Sequence, residues 1–498
     1  MAAKRAGKSK AKPIAGRRGT EVLFFDLAEI DQINRVRLSV CQATKHPNNP
    51  VMIPGDKDKW DSAQSGPWSM RTVLYDPDMK KFRCWYTGTD IAVKAKWYNG
   101  YAESDDGIVW HKPNLGLFSF EGSKRNNIIN DAVWCSTVLD ESERKADRRY
   151  KSKTVHLMAY SADGLHWSRY EPNRLNTLER PADLVTFIRD DQEPNPARRY
   201  KVVYQYYTKS TKPGPELVRA KGIAYSRDGK RWRGSKNNPI LSPNDGFEQE
   251  NHFVMYVPYK GQYLTLYECG WYHPDGTGLF GRYSADIRLA HSRDGEKFQR
   301  VNPHEVVLPR GGAGEWDGQF LVITDKIIIK DDLMYIYYCG QDMGWTSWPT
   351  SNSAPGNRFI DPKTHKETTG CTGRSAMGLA TMRVDGFTCM QAVDAHSWGT
   401  FTTVPINLGA DKARPRALTV NLGNVEAGRS YLAAEVVSAG TGKPIDGFSR
   451  DDCTPIAIDG TKVPVRWKGG ALSRLKAKRV RIRFYLYGAA KLYSFRLA

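Results

Sequence analysis

The sequence predicts an all-β protein in which a five-bladed β-propeller is followed by a C-terminal β-sandwich. A turn motif, S-x-D-G-x-x-aromatic, occurs in four clear copies and a fifth, degraded one. Each copy follows two strand-like segments, so each repeat offers the four antiparallel strands of a propeller blade. Beyond residue 397, alternating apolar and polar segments continue without the motif, which is typical of a β-sandwich. The copies span 104–110, 161–167, 226–232, 292–298 and 383–389.

The turn motif has a simple physical basis. Asp-Gly is a strong hairpin signal, because Gly tolerates a positive φ and the Asp side chain can cap the turn. A short apolar strand precedes each copy, and the aromatic residue after it can pack back over the hairpin. The repeat predicts five blades, placed near 66–115, 126–175, 180–240, 248–302 and 313–395.

Three domains are predicted from these changes of pattern. The first 20 residues contain seven basic side chains and no acidic one, which predicts a basic, disordered tail over 1–20. The propeller is expected over 21–396 and the β-sandwich over 397–498. No apolar segment follows the basic residues, so no signal peptide is expected, and the protein is either cytoplasmic or secreted with its leader removed.

Composition narrows the function classes. The formal net charge is +20, so the surface is expected to attract polyanions such as nucleic acid, anionic lipid or an acidic polysaccharide, unless the charge serves only solubility. No transmembrane run is present, and no interleaved basic and aromatic motif supports a nucleic-acid partner. The eight Cys residues show no C-x-x-C pair, so zinc is not expected. Their even number permits disulfides without indicating a pairing.

Five S-x-D-G-x-x-W-type hairpins followed by a β-sandwich resemble the five-bladed propeller glycoside hydrolases. These include the invertase-like and arabinanase/xylosidase-like families and related bacterial propeller proteins. The resemblance covers most of residues 45–498. It implies a pit on the propeller axis, where carboxyl groups at the starts of the innermost strands act as acid and as nucleophile or base. The turn also resembles the Asp-box of sialidases, whose propellers have six blades.

Several acidic residues stand where the resemblance places the pit. Asp61 and Asp317 share a Trp-Asp dipeptide before an inner strand, which predicts equivalent positions. Glu268, in a Glu-Cys pair like that of the invertase-like enzymes, is expected at the same rim as the general acid. The predicted catalytic residues are Asp61, Asp183, Glu250, Glu268 and Asp317.

Further residues near these carboxyl groups suit a sugar site. Trp271 and Tyr272 follow Glu268 and can stack on a sugar ring, while Arg71 can bind an anionic group or pair with a rim carboxylate. His252 is a wall residue or an acid–base partner of Glu250. The predicted substrate-binding residues are Arg71, Asp131, His252, Trp271 and Tyr272.

The predicted function is a glycoside hydrolase acting on a poly- or oligosaccharide, with an anionic one as an option. A non-catalytic carbohydrate-binding propeller and a sialidase-type enzyme are the alternatives. No cofactor or metal is expected apart from an optional structural Ca²⁺. The expected partner is a carbohydrate substrate, with no nucleic acid and no membrane, and the sequence leaves the oligomeric state and the sugar open.

Overall fold

The structure is a computed structural model that describes residues 13–16, 19–56, 58–62, 72–88, 98–130, 136–154, 157–170, 185–213, 216–273, 282–312, 315–341, 359–360, 367–368, 375–408 and 415–498. Within these ranges the chain is almost entirely β-strand, which confirms the predicted all-β class. It divides into a larger unit, Gln42–Met382, and a smaller unit formed by Met1–Cys41 with Arg383–Ala498. Short 3-10 turns lie at Ala146–Arg148, Pro196–Arg198, Pro243–Asp245 and Leu472–Arg474.

The strands are numbered along the chain. Those before the larger unit are β1 (Ile14–Gly16), β2 (Glu21–Leu23), β3 (Ile30–Asn34) and β4 (Val36–Val40). Those of the larger unit are β5 (Thr44–Lys45), β6 (Thr72–Asp76), β7 (Lys81–Gly88), β8 (Tyr98–Ser104), β9 (Ile128–Asn130), β10 (Ser136–Leu139), β11 (Tyr150–Lys153), β12 (Met158–Ser161), β13 (Ser168–Arg169), β14 (Val185–Arg189), β15 (Tyr200–Lys209), β16 (Leu217–Ser226), β17 (Arg233–Gly234), β18 (Val254–Tyr259), β19 (Gln262–His273), β20 (Arg282–Ser292), β21 (Gln299–Arg300), β22 (Phe320–Lys330), β23 (Leu333–Gln341), β24 (Phe359–Ile360), β25 (Glu367–Thr368) and β26 (Ala376–Arg383). Those after it are β27 (Thr388–Ala392), β28 (Trp398–Thr403), β29 (Ile406–Leu408), β30 (Leu418–Gly423), β31 (Tyr431–Ser438), β32 (Gly460–Val465), β33 (Arg479–Tyr487) and β34 (Lys491–Leu497).

The larger unit contains five successive groups of four strands. The first three are separate sheets, in the orders β6-β7-β8-β9, β10-β11-β12-β13 and β14-β15-β16-β17. The fourth group, β18 to β21, joins the fifth through a short parallel contact between β20 and β22. The fifth group is β22-β23-β26-β5, so a strand from before the first group completes the last one.

The first strands of the five groups contact one another in a closed cycle. Strand β6 contacts β10, β10 contacts β14, β14 contacts β18, β18 contacts β22, and β22 contacts β6. Polar side chains tie neighbours together, since Asp325 Oδ2 accepts hydrogen bonds from Thr72 at 2.7 Å and Ser136 at 2.6 Å. Asp325 lies at an irregularity between Ile323 and Ile327 that interrupts the pairing of β22 with β23. The irregularity lets a carboxylate face the neighbouring first strands from within an otherwise apolar strand.

The turn motif forms a side-chain-capped turn, as its Asp and Gly predicted. In the second copy Gly164 has a φ of +77°, and its N–H donates to Ser161 Oγ at 2.8 Å. Asp163 Oδ1 accepts the next two backbone N–H groups at 2.8 and 2.9 Å. The Gly164 carbonyl accepts the indole N–H of Trp167 at 3.0 Å and that of Trp85, from the preceding group, at 2.7 Å. The turn therefore also fastens one strand group to the next.

The smaller unit consists of two sheets that share one apolar core. One has the order β1-β29-β33-β28-β3, with β31 paired to β33. The other has the order β32-β30-β34-β27-β4, with β2 paired to β34. The core between them includes Phe24, Phe401, Leu432, Phe484 and Phe495.

The observed units begin and end at different residues from the predicted domains. Residues 21–41 were expected in the propeller, but β2, β3 and β4 pair with strands of the smaller unit. The stretch 383–396 also belongs there, because β27 pairs with β4 and β34. The predicted disordered tail over 1–20 contains β1, which pairs in parallel with β29, while residues 1–12 lie outside the described part. Without a repeat motif, these strands could not be assigned by pattern.

Candidate active site

Asp61 lies in a buried pair with a lysine and a tyrosine. Lys112 Nζ lies 2.6 Å from Asp61 Oδ2, and the Tyr86 hydroxyl donates to the same oxygen at 2.9 Å. The Trp60 ring stacks on Tyr86 with centroids 5.4 Å apart. Burial raises the pKa of Tyr86 well above its usual value, so its hydroxyl stays a donor. The Asp61 side chain is only 3% exposed.

Asp317 has the same surroundings, as the shared Trp-Asp dipeptide predicted. Lys45 Nζ lies 2.6 Å from Asp317 Oδ2, and the Tyr338 hydroxyl donates to that oxygen at 2.9 Å. Trp316 stacks on Tyr338 with centroids 5.7 Å apart. Both carboxylates are held by a cation and a phenol and shielded from solvent, which favours a structural role. Their predicted catalytic role stays a prediction.

Glu248, which the sequence analysis did not select, occupies the corresponding place in the fourth group. It follows Phe247, as the two Asp residues follow Trp, and Arg300 forms an ion pair with its Oε1. A Cβ added to Gly246 would collide with the Glu248 carboxylate, just as one on Gly55 or Gly311 would collide with Asp61 or Asp317. The aromatic–acidic dipeptide preceded by Gly was the available signal, and it selects Glu248 rather than Glu250.

Glu250 pairs with Arg219. Arg219 Nη1 lies 2.8 Å from Glu250 Oε2, and the Arg219 backbone N–H donates to Oε1 at 3.3 Å. Glu250 also exchanges backbone hydrogen bonds with Gly270 at 3.0 and 3.2 Å, which places it beside the end of β19. His252 is buried with its ring 4.5 Å from that of Phe253. A wall position is therefore the better supported of the two predicted roles for His252.

Glu268 differs from the other predicted acids because no Lys or Arg of the described residues forms an ion pair with it. Its side chain is fully buried, with the Tyr283 hydroxyl donating to Oε1 and the Phe253 N–H donating to Oε2 at 2.9 Å. Tyr283 packs edge-on against Phe320, the first residue of β22, at 5.2 Å. Burial raises the pKa of Glu268 to about 8, and the nearby charge of Glu250 raises it further. Glu268 can therefore hold a proton at neutral pH beside the starts of β18 and β22.

The remaining predicted site residues are only partly described. Trp271 is half-buried, and its ring lies 5.6 Å from that of Phe247. The backbone of Tyr272 continues β19, but its side chain lies outside the described part. The predicted residues Arg71, Asp131 and Asp183 also lie outside the described residues.

Two buried lysines near the cycle of first strands were missed by sequence reasoning. Lys153 pairs in register with Ser136, the first residue of β10, and burial lowers the pKa of Lys153 to about 7. Lys326 follows Asp325 and donates to the Phe187 carbonyl at 2.9 Å, and burial lowers its pKa as well. Each lies in a strand whose pattern reads as ordinary core, so no local signal marks them.

The described ranges contain no group of three or more His, Cys, Asp or Glu side chains placed to hold a metal ion. No helix in them is long and apolar enough to cross a membrane. The chemistry open to the described site is therefore that of its own side chains. Glu268 can donate a proton, and the acids around it can act as charged partners.

Comparisons with known proteins agree with the resemblance that the sequence implied. No family model and no curated protein matches the chain, but solved glycoside hydrolases resemble it. A glycosyl hydrolase from Bacteroides ovatus is 15% identical over 69% of this chain and 94% of its own, with a TM-score of 0.41. A fructofuranosidase from Schwanniomyces occidentalis complexed with fructose is 12% identical over 89% and 99%, with a TM-score of 0.37. A protein solved in complex with RGII is 14% identical over 67% and 92%, with a TM-score of 0.41.

Proposed function

We propose that the protein is a glycoside hydrolase acting on a poly- or oligosaccharide, with Glu268 as its general acid. The observation that carries the proposal is a buried carboxyl group, without an ion-pair partner among the described residues, whose pKa is raised to about 8. A carboxylic acid that keeps its proton at neutral pH can protonate the departing glycosidic oxygen. Glu268 also lies next to the starts of two first strands, where several groups converge.

The fold proposed for this enzyme is a five-bladed β-propeller with a β-sandwich. Five four-strand groups, the closed cycle of their first strands, and the closure of the fifth group by β5 support the propeller. Two sheets around one core support the sandwich, which takes in residues from both ends of the chain. A ring of this kind brings one rim of every blade to a common axis, where the proposed site lies.

Glycoside hydrolysis needs a second carboxyl group as nucleophile or base. Glu250 and Asp183 are the proposed candidates, since Asp61 and Asp317 are held in Lys–Tyr pairs. Glu250 faces Gly270, two residues beyond Glu268 on β19, and its charge contributes to the raised pKa of Glu268. Two carboxyl groups whose environments favour different protonation states are the usual pattern of an acid and its charged partner.

A non-catalytic carbohydrate-binding propeller is the second candidate function. The observation in its favour is that three of the predicted catalytic carboxylates, Asp61, Glu250 and Asp317, each have a Lys or Arg partner within 2.8 Å. Such pairing leaves fewer groups for acid–base chemistry. A protein of this kind would bind sugars and release no product.

The test is reducing-end release from neutral, uronate-containing, sulfated and sialylated glycans, followed by the Glu268→Gln variant. The amide keeps the size and neutrality of the protonated acid but cannot give up a proton. We expect kcat/KM on natural linkages to fall by roughly 100- to 10,000-fold. Aryl glycosides with a good leaving group, which need no protonation, should lose much less.

Glu141→Gln, at an exposed position, is the matched control and should behave like the wild type. Equal loss on both substrate types would remove Glu268 from the role of general acid. Sugar binding without any product from the wild type would support the binding propeller instead.

A further inference from the structure

A row of three aromatic rings crosses one sheet of the smaller unit. Tyr431 on β31 and Trp398 on β28 lie directly opposite Tyr487 on β33 in the strand register. The rings of Tyr431 and Tyr487 stack at 4.2 Å with an interplanar angle of 14°, and those of Trp398 and Tyr487 stack at 6.2 Å and 26°. The three rings therefore form a nearly flat platform across three strands.

The platform faces away from the core of its unit. The intervening residues Leu432, Phe484 and Leu486 are fully buried in that core, and strand alternation turns their neighbours to the other side. Trp398 is 42% exposed, while Tyr431 and Tyr487 are half-buried. Tyr and Trp in such a row present large apolar faces with polar tips, a combination enriched at binding surfaces.

Arginines border the platform. The Arg450 guanidinium lies 5.2 Å from the Tyr485 ring centroid and 5.7 Å from that of Tyr487, and it donates to the Tyr487 hydroxyl at 2.8 Å. Arg483 forms an ion pair with Glu435. The Arg450 guanidinium has no carboxylate partner within the described residues, and Arg450 is exposed. The platform therefore carries an unmatched positive charge above its rings.

We propose that this surface, formed by Trp398, Tyr431, Tyr485, Tyr487 and Arg450, binds an anionic glycan. Sugar rings lie flat on the aromatic row, and a carboxylate or sulfate group of the glycan binds the Arg450 guanidinium through its fork of N–H donors. The charge complementarity selects an anionic occupant over a neutral one. The surface belongs to the smaller unit and is independent of the proposed hydrolytic site, so either proposal can fail without the other.

The experiment is affinity electrophoresis of the full chain in gels containing polygalacturonate, dextran sulfate or unmodified dextran. The variants are Trp398→Ala and Arg450→Gln, with Ile458→Ala, a 63% exposed position of the same unit, as the matched control. We expect an anionic polymer to retard the wild type and the control. Each test variant should bind it roughly tenfold more weakly, and dextran should retard none strongly.

The outcomes separate the possible ligands. Retardation by polygalacturonate alone assigns a uronate, and retardation by dextran sulfate alone assigns a sulfated sugar. Equal retardation of all variants by an anionic polymer, or no retardation of the wild type, overturns the proposal. Arg450 is exposed, so Arg450→Gln keeps the test decisive even if Trp398→Ala unfolds, and thermal melting of each variant shows which case applies.

Discussion

The Lys45–Asp317 pair makes an asymmetric prediction for stability. Lys45→Met leaves a carboxylate that is 3% exposed without its cation, and this should cost about 3–5 kcal/mol of the free energy of unfolding. Asp317→Asn leaves a lysine whose side chain is 27% exposed and can be rehydrated, and the amide oxygen can still accept from Tyr338. That change should cost about 1–3 kcal/mol. Removing the cation should therefore be the more damaging change.

Urea unfolding followed by tryptophan fluorescence measures the difference, because Trp316 stacks on Tyr338 next to the pair. The Lys112–Asp61 pair, with exposures of 24% and 3%, is an internal replicate that should show the same order. Activity per folded molecule should stay near that of the wild type in Asp317→Asn. An Asn variant that keeps its stability but loses hydrolysis would refute the reasoning and place Asp317 in catalysis. An equal or reversed stability order would refute the burial argument.

Three further predictions concern other parts of the chain. The pKa of Glu268 is raised, so the folded state holds a proton that the unfolded state has lost; wild-type stability should fall as pH rises from about 4.5 to 8, by about 1.4 kcal/mol per pH unit, whereas Glu268→Gln should show no such slope in urea titrations. Cys41 and Cys389, with sulfur atoms 3.4 Å apart, should lose two titratable thiols to a disulfide when treated with oxidised glutathione, and Cys41→Ser should prevent this. Gly164→Ala should lower the free energy of unfolding by about 1–3 kcal/mol, because its φ is +77° and a Cβ would meet the Trp85 ring; a chain that melts like the wild type would contradict this.

Features that depend on local sequence could be predicted well. The Ser, Asp and Gly of each turn motif form their hydrogen bonds within four residues, so the motif alone specifies them. The equivalence of Asp61 and Asp317 followed from the Trp beside each. Their cations could not be predicted, because Lys112 and Lys45 come from 51 and 272 residues away.

Long-range pairing also explains the other differences. Residues 21–41 carry no motif, and their place depends on partners such as Gln391, which bonds Ser39 across 352 residues. Asp325 was missed because its strand, FLVITDKIIIK, reads as continuous core until an irregularity turns the carboxylate towards β6 and β10. Glu268 was selected by its Glu-Cys pair, but only the surrounding burial shows that it can keep a proton.

The strand that completes the fifth group has a consequence for how the chain is made. Asn49, just after β5, exchanges hydrogen bonds with the backbone of Leu379, 330 residues later. At about 5–20 residues per second, a ribosome needs roughly 15–65 s to produce the second partner after the first. During that interval the early strand groups lack their final neighbour and expose unpaired edges. Chaperone demand during synthesis should therefore fall sharply once residue 379 has left the ribosome.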